Sequence, residues 1–168
     1  MEKSYKQYLS QINTLIFDVD GVLTNGIVTV FPNGELIRQM NIKDGYALRT
    51  AVNAGLRICI ITGGKHEGVK IRLENLGIKD VYMGAHNKIE QYNEFIDMYN
   101  LQPNNILYMG DDLPDYPIMK LVGLACCPND AAIEIQQISK YISDKKGGEG
   151  CVRDIIEQVL RVQGKWDS

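Results

Sequence analysis

The sequence predicts an α/β fold, a doubly wound parallel sheet with helices on both faces and one protruding β-hairpin. Three observations predict it. Short, continuously apolar runs recur along the chain, of the kind that form strands buried on both faces. Amphipathic stretches with helical spacing separate these runs, so strand and helix alternate, which implies right-handed crossovers and a parallel sheet. One segment departs from the alternation: Asn33-Gly34 lies between two β-rich runs and signals a hairpin.

The first strand is Thr14-Leu15-Ile16-Phe17, ending at Asp18. The hairpin spans about 26–40, with Val28, Val30, Leu36 and Ile37 as apolar residues that need covering. Asp44 reads as the N-cap of the next helix, in which Ala47, Leu48, Ala51 and Val52 share a face and Gly55 is the stop. The apolar run 57–61 ends at Thr62-Gly63-Gly64, and 65–76 is helical, with Val69, Leu73 and Leu76 on one face before Gly77. A strand at 80–83, a helix at 87–99 and a strand at 105–109 follow, the last ending at Gly110-Asp111-Asp112. A helix at 113–122, a strand at 123–126, a helix at 131–137 and a strand at 141–143 complete the alternation. The glycine-rich segment 145–150 reads as the start of a flexible C-terminal tail that carries a last helix over 151–162.

Composition sets the class. The chain has 168 residues, 45% hydrophobic and 23% charged, with 18 basic against 21 acidic side chains, the pattern of a single domain over 1–168. A chain of this length buries roughly 70% of its unfolded surface, enough for a core without disulfides or structural metal. A net charge of −3 without a long Lys/Arg run predicts no nucleic-acid partner and no membrane-surface partner. No apolar stretch reaches the roughly 18 residues of a membrane span, and residues 1–13 lack the apolar segment of a secretory signal; the expected location is cytoplasmic. Cys59, Cys126, Cys127 and Cys151 have no Cys-x-x-Cys spacing and read as buried or incidental thiols.

Parallel sheets bind ligands beyond the carboxyl ends of their strands, and there the chemistry-bearing residues collect. Asp18 and Asp20 follow the first strand with a spacing that aims both to one side, and Gly21 permits the turn. Thr62 ends another strand, Lys88 opens a helix, and Asp111, Asp112 and Asp115 crowd the end of a third strand. Taken singly, such carboxylates cap helices and such a lysine is a solvated charge. Gathered together, the carboxylates repel one another unless a cation neutralises them, and an all-oxygen acidic set favours magnesium (Mg²⁺), the cation of phosphoryl transfer. A calcium loop fails on pattern, since no helix precedes Asp18 and no Glu follows at the required place.

These residues carry a resemblance. Asp18-Val19-Asp20-Gly21-Val22-Leu23-Thr24, Thr62, Lys88 and Gly110-Asp111-Asp112-x-x-Asp115 resemble, in order, the four motifs of the haloacid dehalogenase-like phosphatases. The resemblance covers nearly the whole chain. Within that family the hairpin, Asp44-Gly45, Thr62-Gly63, Asn87-Lys88 and the tail Gly147-Gly148-x-Gly150-x-Val152-Arg153 are most similar to the 3-deoxy-D-manno-octulosonate 8-phosphate phosphatases of its capless branch. The intervals 18–62 and 62–111 agree, leaving no room for an inserted cap domain.

The resemblance implies a hydrolase in which Asp18 attacks phosphorus and becomes an aspartyl phosphate while Asp20 serves as acid and then base. It implies Mg²⁺ on Asp18, Asp111 and the Asp20 backbone carbonyl, Asp112 and Asp115 one step behind, and Thr62 and Lys88 on the phosphoryl group. It also implies a homotetramer packed through the hairpins, a sugar-acid phosphate as substrate and a place in lipopolysaccharide precursor synthesis. Where many of these octulosonate phosphatases carry Arg, and related nine-carbon sugar-acid phosphatases an acid, this chain has Gly64. Substrate binding is therefore expected from Thr62, Gly63, Lys65, Arg72 and a neighbouring subunit's Arg153; Arg72, on the helix after Thr62, suits two-pronged carboxylate binding but reads equally as a solvated helix charge. His66 and His86 match no ligand spacing and read as surface residues. The competing functions are a nine-carbon sialic-acid-type phosphatase, a phospho-acceptor receiver module, whose acceptor Asp follows a middle strand where this chain has Thr62, and a non-catalytic assembly module.

Overall fold

The computed structural model describes residues 4–167. Its centre is β1 (Thr14–Phe17), flanked by β4 (Arg57–Ile61) and β6 (Ile106–Met109), with β5 (Asp80–Tyr82) outside β4 and β7 (Leu124–Cys127) and β8 (Tyr141–Ile142) outside β6. All six strands are parallel. Phe17 of β1 stands level with Ile60 on one side and Met109 on the other, so residues 18, 61–62 and 110–111 leave the sheet in one row. The chain builds outward from β1 through β4 to β5 and then crosses back to β6; this reversal makes the row a topological switch point, where open sheets of this kind bind ligands.

Both faces of the sheet are covered. Leu15 and Phe17 point into a core shared with α1 (Ile42–Asn53), α2 (Glu67–Asn75) and α6 (Cys151–Val162), while Ile16 points into a second core with α3 (Lys88–Tyr99), α4 (Tyr116–Met119) and α5 (Ile133–Ile138). This double burial explains why β1 reads as an unbroken apolar run. The four cysteines are buried free thiols. Among the described residues no helix is long and apolar enough to cross a membrane. The interval 18–62 holds only the hairpin, α1 and β4, and 62–111 only α2, β5, α3, β6 and a short turn; the described residues include no cap domain.

Several expectations need correction. Asn41, not Asp44, caps α1: its side chain accepts the Lys43 N–H at 2.8 Å. Asp44 lies in the first turn, 1% exposed, accepting the Arg153 N–H at 2.9 Å. The span 113–122 is not one helix, because an Asp112–Asp115 capping box closes a 3-10 turn before α4 begins, and Pro114 and Pro117 each lack a backbone donor. The hairpin pairs over two residues per strand, β2 (Thr29–Val30) and β3 (Leu36–Ile37). The expected flexible tail is docked: Gly148 donates to the Val22 carbonyl at 3.0 Å, a Cβ at Gly147 would overlap the Gly21 carbonyl, and α6 buries Val152, Ile155, Ile156 and Val159 against the rest of the fold.

Candidate active site

The row of strand ends opens into a cavity of about 460 Å³ lined by Asp18, Asp20, Thr62, Gly63, Lys88 and Asp111, among others. Asp18 is 7% exposed, and its Oδ2 lies 3.0 Å from Lys88 Nζ. The ammonium is buried as well and also donates to Asp115 Oδ1 at 2.7 Å. Asp115 is saturated by protein donors: Tyr108 Oη donates to Oδ1 at 2.6 Å, and the Asp111 and Asp112 N–H groups donate to Oδ2 at 3.0 and 3.4 Å. Asp111 differs: among the described residues no backbone N–H and no basic side chain donates to its carboxylate, whose hydrogen-bonding neighbour is the Asp18 carboxyl. Its oxygen, one of Asp18 and one of Asp115 all lie within 4.8 Å of one another.

The charges strain against this crowding. Burial, then the Asp115 carboxylate, push Asp18 well above the usual carboxylate range, with Lys88 opposing. Burial and the Asp115 and Asp112 charges push Asp111 up to about 7. Burial pulls Lys88 down, but the Asp18 and Asp115 carboxylates outweigh it, and the ammonium is held charged. A site that resists ionisation while presenting carboxylate oxygens is one that a divalent cation relieves, and all-oxygen donors suit a hard ion. Asp18, Asp111 and Asp115 therefore could hold a metal; Asp115 spends its lone pairs on Lys88, Tyr108 and two amides, whereas Asp18 accepts only the Val19 N–H at 2.7 Å beside Lys88, so Asp111 and then Asp18 keep the most donor capacity. Asp112 is exposed and caps its own turn, accepting the Leu113 N–H at 2.8 Å.

Such a donor set over a parallel sheet narrows the family. A family profile described as haloacid dehalogenase-like hydrolase matches residues 78–155. The chain is 38% identical over 156 residues to the 3-deoxy-D-manno-octulosonate 8-phosphate phosphatase of Salmonella typhi, covering 93% of this chain and 83% of that protein. This chain belongs to the 3-deoxy-D-manno-octulosonate 8-phosphate phosphatase family. Crystallised octulosonate phosphatases superpose closely. The Yersinia pestis enzyme gives a TM-score of 0.94 at 33% identity, covering 98% of this chain and 89% of that one. The Moraxella catarrhalis enzyme, solved with a magnesium ion, a phosphate ion and a KDO molecule, gives 0.91 at 28% identity, covering 95% and 92%. As an octulosonate phosphatase-type chain it is a phosphoric monoester hydrolase.

Around this core the other expected residues divide. Lys65 and Arg72 line a neighbouring cavity of about 640 Å³ between the hairpin and α2, together with Leu36, Arg38, His66 and Val69. Arg153 lines neither cavity in this chain; its guanidinium lies beside the paired Tyr46 and Trp166 rings, 5.6 and 5.3 Å from their centroids, and its Nε is 3.2 Å from Glu157. His86 is exposed at the rim of the first cavity. His66 is not a plain surface residue: it is half-buried, with Nδ1 3.1 Å from Arg38 Nη1 and a buried, unpartnered Nε2, and burial and the Arg38 charge lower its pKa. Sequence reasoning missed Arg38 altogether. Its guanidinium grips Asp20 with Nε 2.5 Å from Oδ1 and Nη2 3.0 Å from Oδ2. The one available signal was a basic residue closing the apolar strand Leu36-Ile37.

Proposed function

We propose that this chain hydrolyses 3-deoxy-D-manno-octulosonate 8-phosphate to 3-deoxy-D-manno-octulosonate and phosphate through an aspartyl phosphate on Asp18. The carrying observation is the buried Asp18 carboxylate held beside Lys88, with Asp20 and Asp111 on the same cavity, in a chain of this family. The Asp18 and Asp111 carboxylates and the Asp20 backbone carbonyl would hold Mg²⁺, which would supply positive charge to the phosphoryl oxygens. Lys88 and Thr62 bind those oxygens; the ammonium also offsets the charge of the approaching nucleophile.

In the first half-reaction an Asp18 oxygen attacks phosphorus, the bond from phosphorus to the sugar oxygen breaks, and Asp20 gives its proton to that oxygen. In the second, Asp20 removes a proton from water, the resulting oxygen attacks phosphorus, phosphate departs and the Asp18 carboxylate is restored. Splitting one very slow hydrolysis this way needs an acid and a base in turn, and one carboxyl group serves both. The cavity carrying Lys65 and Arg72 adjoins this site and suits the anionic end of a sugar acid. The exposed apolar hairpin supports a homotetramer, in which Arg153 would face a neighbour's substrate.

Gly64, where many octulosonate phosphatases carry Arg, makes the nine-carbon sialic-acid-type 9-phosphate the comparison substrate. The test is phosphate release by the purified protein with Mg²⁺ on both compounds, with Asp18→Asn as the control. A higher kcat/KM on the eight-carbon compound and no turnover by Asp18→Asn are expected. Preference for the nine-carbon compound would overturn the substrate assignment, and turnover by Asp18→Asn would remove Asp18 as nucleophile.

A further inference from the structure

We propose that Arg38 is the positioning residue for Asp20, so that the hairpin, and not the sheet alone, sets the orientation of the acid/base group. This rests on the reading of Asp20 given above. Asp20 lines the cavity on the turn before Gly21, with its side chain 37% exposed, and among the described residues the hydrogen bonds to its carboxylate come from Arg38. The fork from Arg38 engages both oxygens, and a planar guanidinium that meets a carboxylate in two places fixes its plane as well as its distance. An exposed ion pair contributes little, but the Arg38 side chain is only 6% exposed, so the guanidinium end of this pair is withdrawn from solvent while the carboxylate end stays partly screened.

Arg38 is itself held in place. Its remaining nitrogen, Nη1, lies 3.1 Å from His66 Nδ1. The imidazole occupies the room that residue 64 leaves by lacking a side chain: a Cβ on Gly64 would stand 2.5 Å from His66 Nε2 and 3.5 Å from Asp20 Oδ2. Gly64, His66, Arg38 and Asp20 thus form one contiguous arrangement. The glycine admits the imidazole, the imidazole backs the guanidinium, and the guanidinium aims the carboxylate.

The experiment separates aiming from mere packing by the leaving group. A sugar oxygen is a poor leaving group and needs the Asp20 proton; p-nitrophenyl phosphate releases a stable phenolate and needs it far less. Because kcat/KM reports the steps through transfer to Asp18, Arg38→Met should lower kcat/KM on the sugar phosphate on the order of 100-fold and on the aryl phosphate by clearly less. Arg38→Lys, which keeps the charge without the fork and serves where the methionine variant folds poorly, should fall between. In an Asp20→Asn background, Arg38→Met should cost nothing further, because the residue acts through Asp20.

Equal losses on the two substrates, or a further loss in the Asp20→Asn background, would overturn the positioning role while leaving Asp20 as acid/base. A rise in KM confined to the sugar acid with kcat intact would overturn it in favour of direct substrate binding. Full turnover by Asp20→Asn would overturn the acid/base reading, and the proposal with it.

Discussion

The Asp111 carboxylate stands where a side chain on residue 21 would project: a Cβ built on Gly21 would collide with it. Gly21 also has φ +84°, a region that side chains resist. One position therefore meets two demands, the turn that presents Asp20 and the close approach of Asp111.

Gly21→Ala should accordingly fold with a modest penalty, about 1–2 kcal/mol for the backbone conformation, and displace Asp111. The expected readout is loss of Mg²⁺-induced thermal stabilisation together with loss of turnover. A variant that binds Mg²⁺ as tightly as the parent would contradict the coupling of residue 21 to an Asp111 ligand.

Lys88 compensates two buried carboxylates at once, Asp18 at 3.0 Å and Asp115 at 2.7 Å. Removing one partner of a buried pair leaves its charge stranded, a cost of about 3–5 kcal/mol. Lys88→Met should therefore melt roughly 6–20 °C lower in a domain of this length and lose turnover. Differential scanning calorimetry without Mg²⁺ reads the first effect, and an unchanged melting temperature would contradict the burial argument.

Proton competition should govern metal affinity. Asp111 is pushed up to about 7, mainly by burial, so below that pH the metal-free site is protonated and a cation must displace the proton. The linkage has a definite sign: a carboxyl raised in the folded state destabilises the metal-free fold as pH climbs from the ordinary carboxylate range towards 7, and Mg²⁺ relieves that cost. Mg²⁺ should bind more weakly at pH 6 than at pH 8, by about tenfold per pH unit for each proton displaced below the shifted pKa. Titration calorimetry in two buffers of different ionisation enthalpy would reveal the released protons; affinity independent of pH would refute the account.

The hairpin presents Val30 at 67% exposure and Ile37 at 45%, with Ile27, Phe31 and Leu36 also exposed. Apolar surface gathered on one protrusion marks an interaction site. Light scattering coupled to size-exclusion chromatography should report a tetramer for the parent chain and a smaller species for Val30→Glu, with activity falling as the assembly disperses. A fully active monomer would remove assembly from the mechanism.

Local pattern carried the strands and the acidic row. β1, β4 and β6 announce themselves because strands buried on both faces are apolar beyond their first residue, and Asp18, Thr62 and Asp111 are recognisable as the first polar residues after them. Helix ends were less legible: Asn41 and Asp44 are both plausible caps by residue type, and the choice fell to Asn41 because Asp44 is drawn inward to the Arg153 amide of α6, 109 positions away.

The polar partnerships belonged to the tertiary structure alone. A parallel sheet with its acids at one edge is legible from neighbouring residues, since hydrophobic periodicity and residue order are properties of the chain read locally. That Arg38 reaches Asp20, that His66 fills the space above Gly64, that Asp115 spends its lone pairs on Lys88 and Tyr108, and that the tail docks on the turn after Gly21 follow only from where distant segments meet. Directed hydrogen bonds and ion pairs act within a few ångströms and leave no periodic trace, so folding had to bring these groups together before their partners existed.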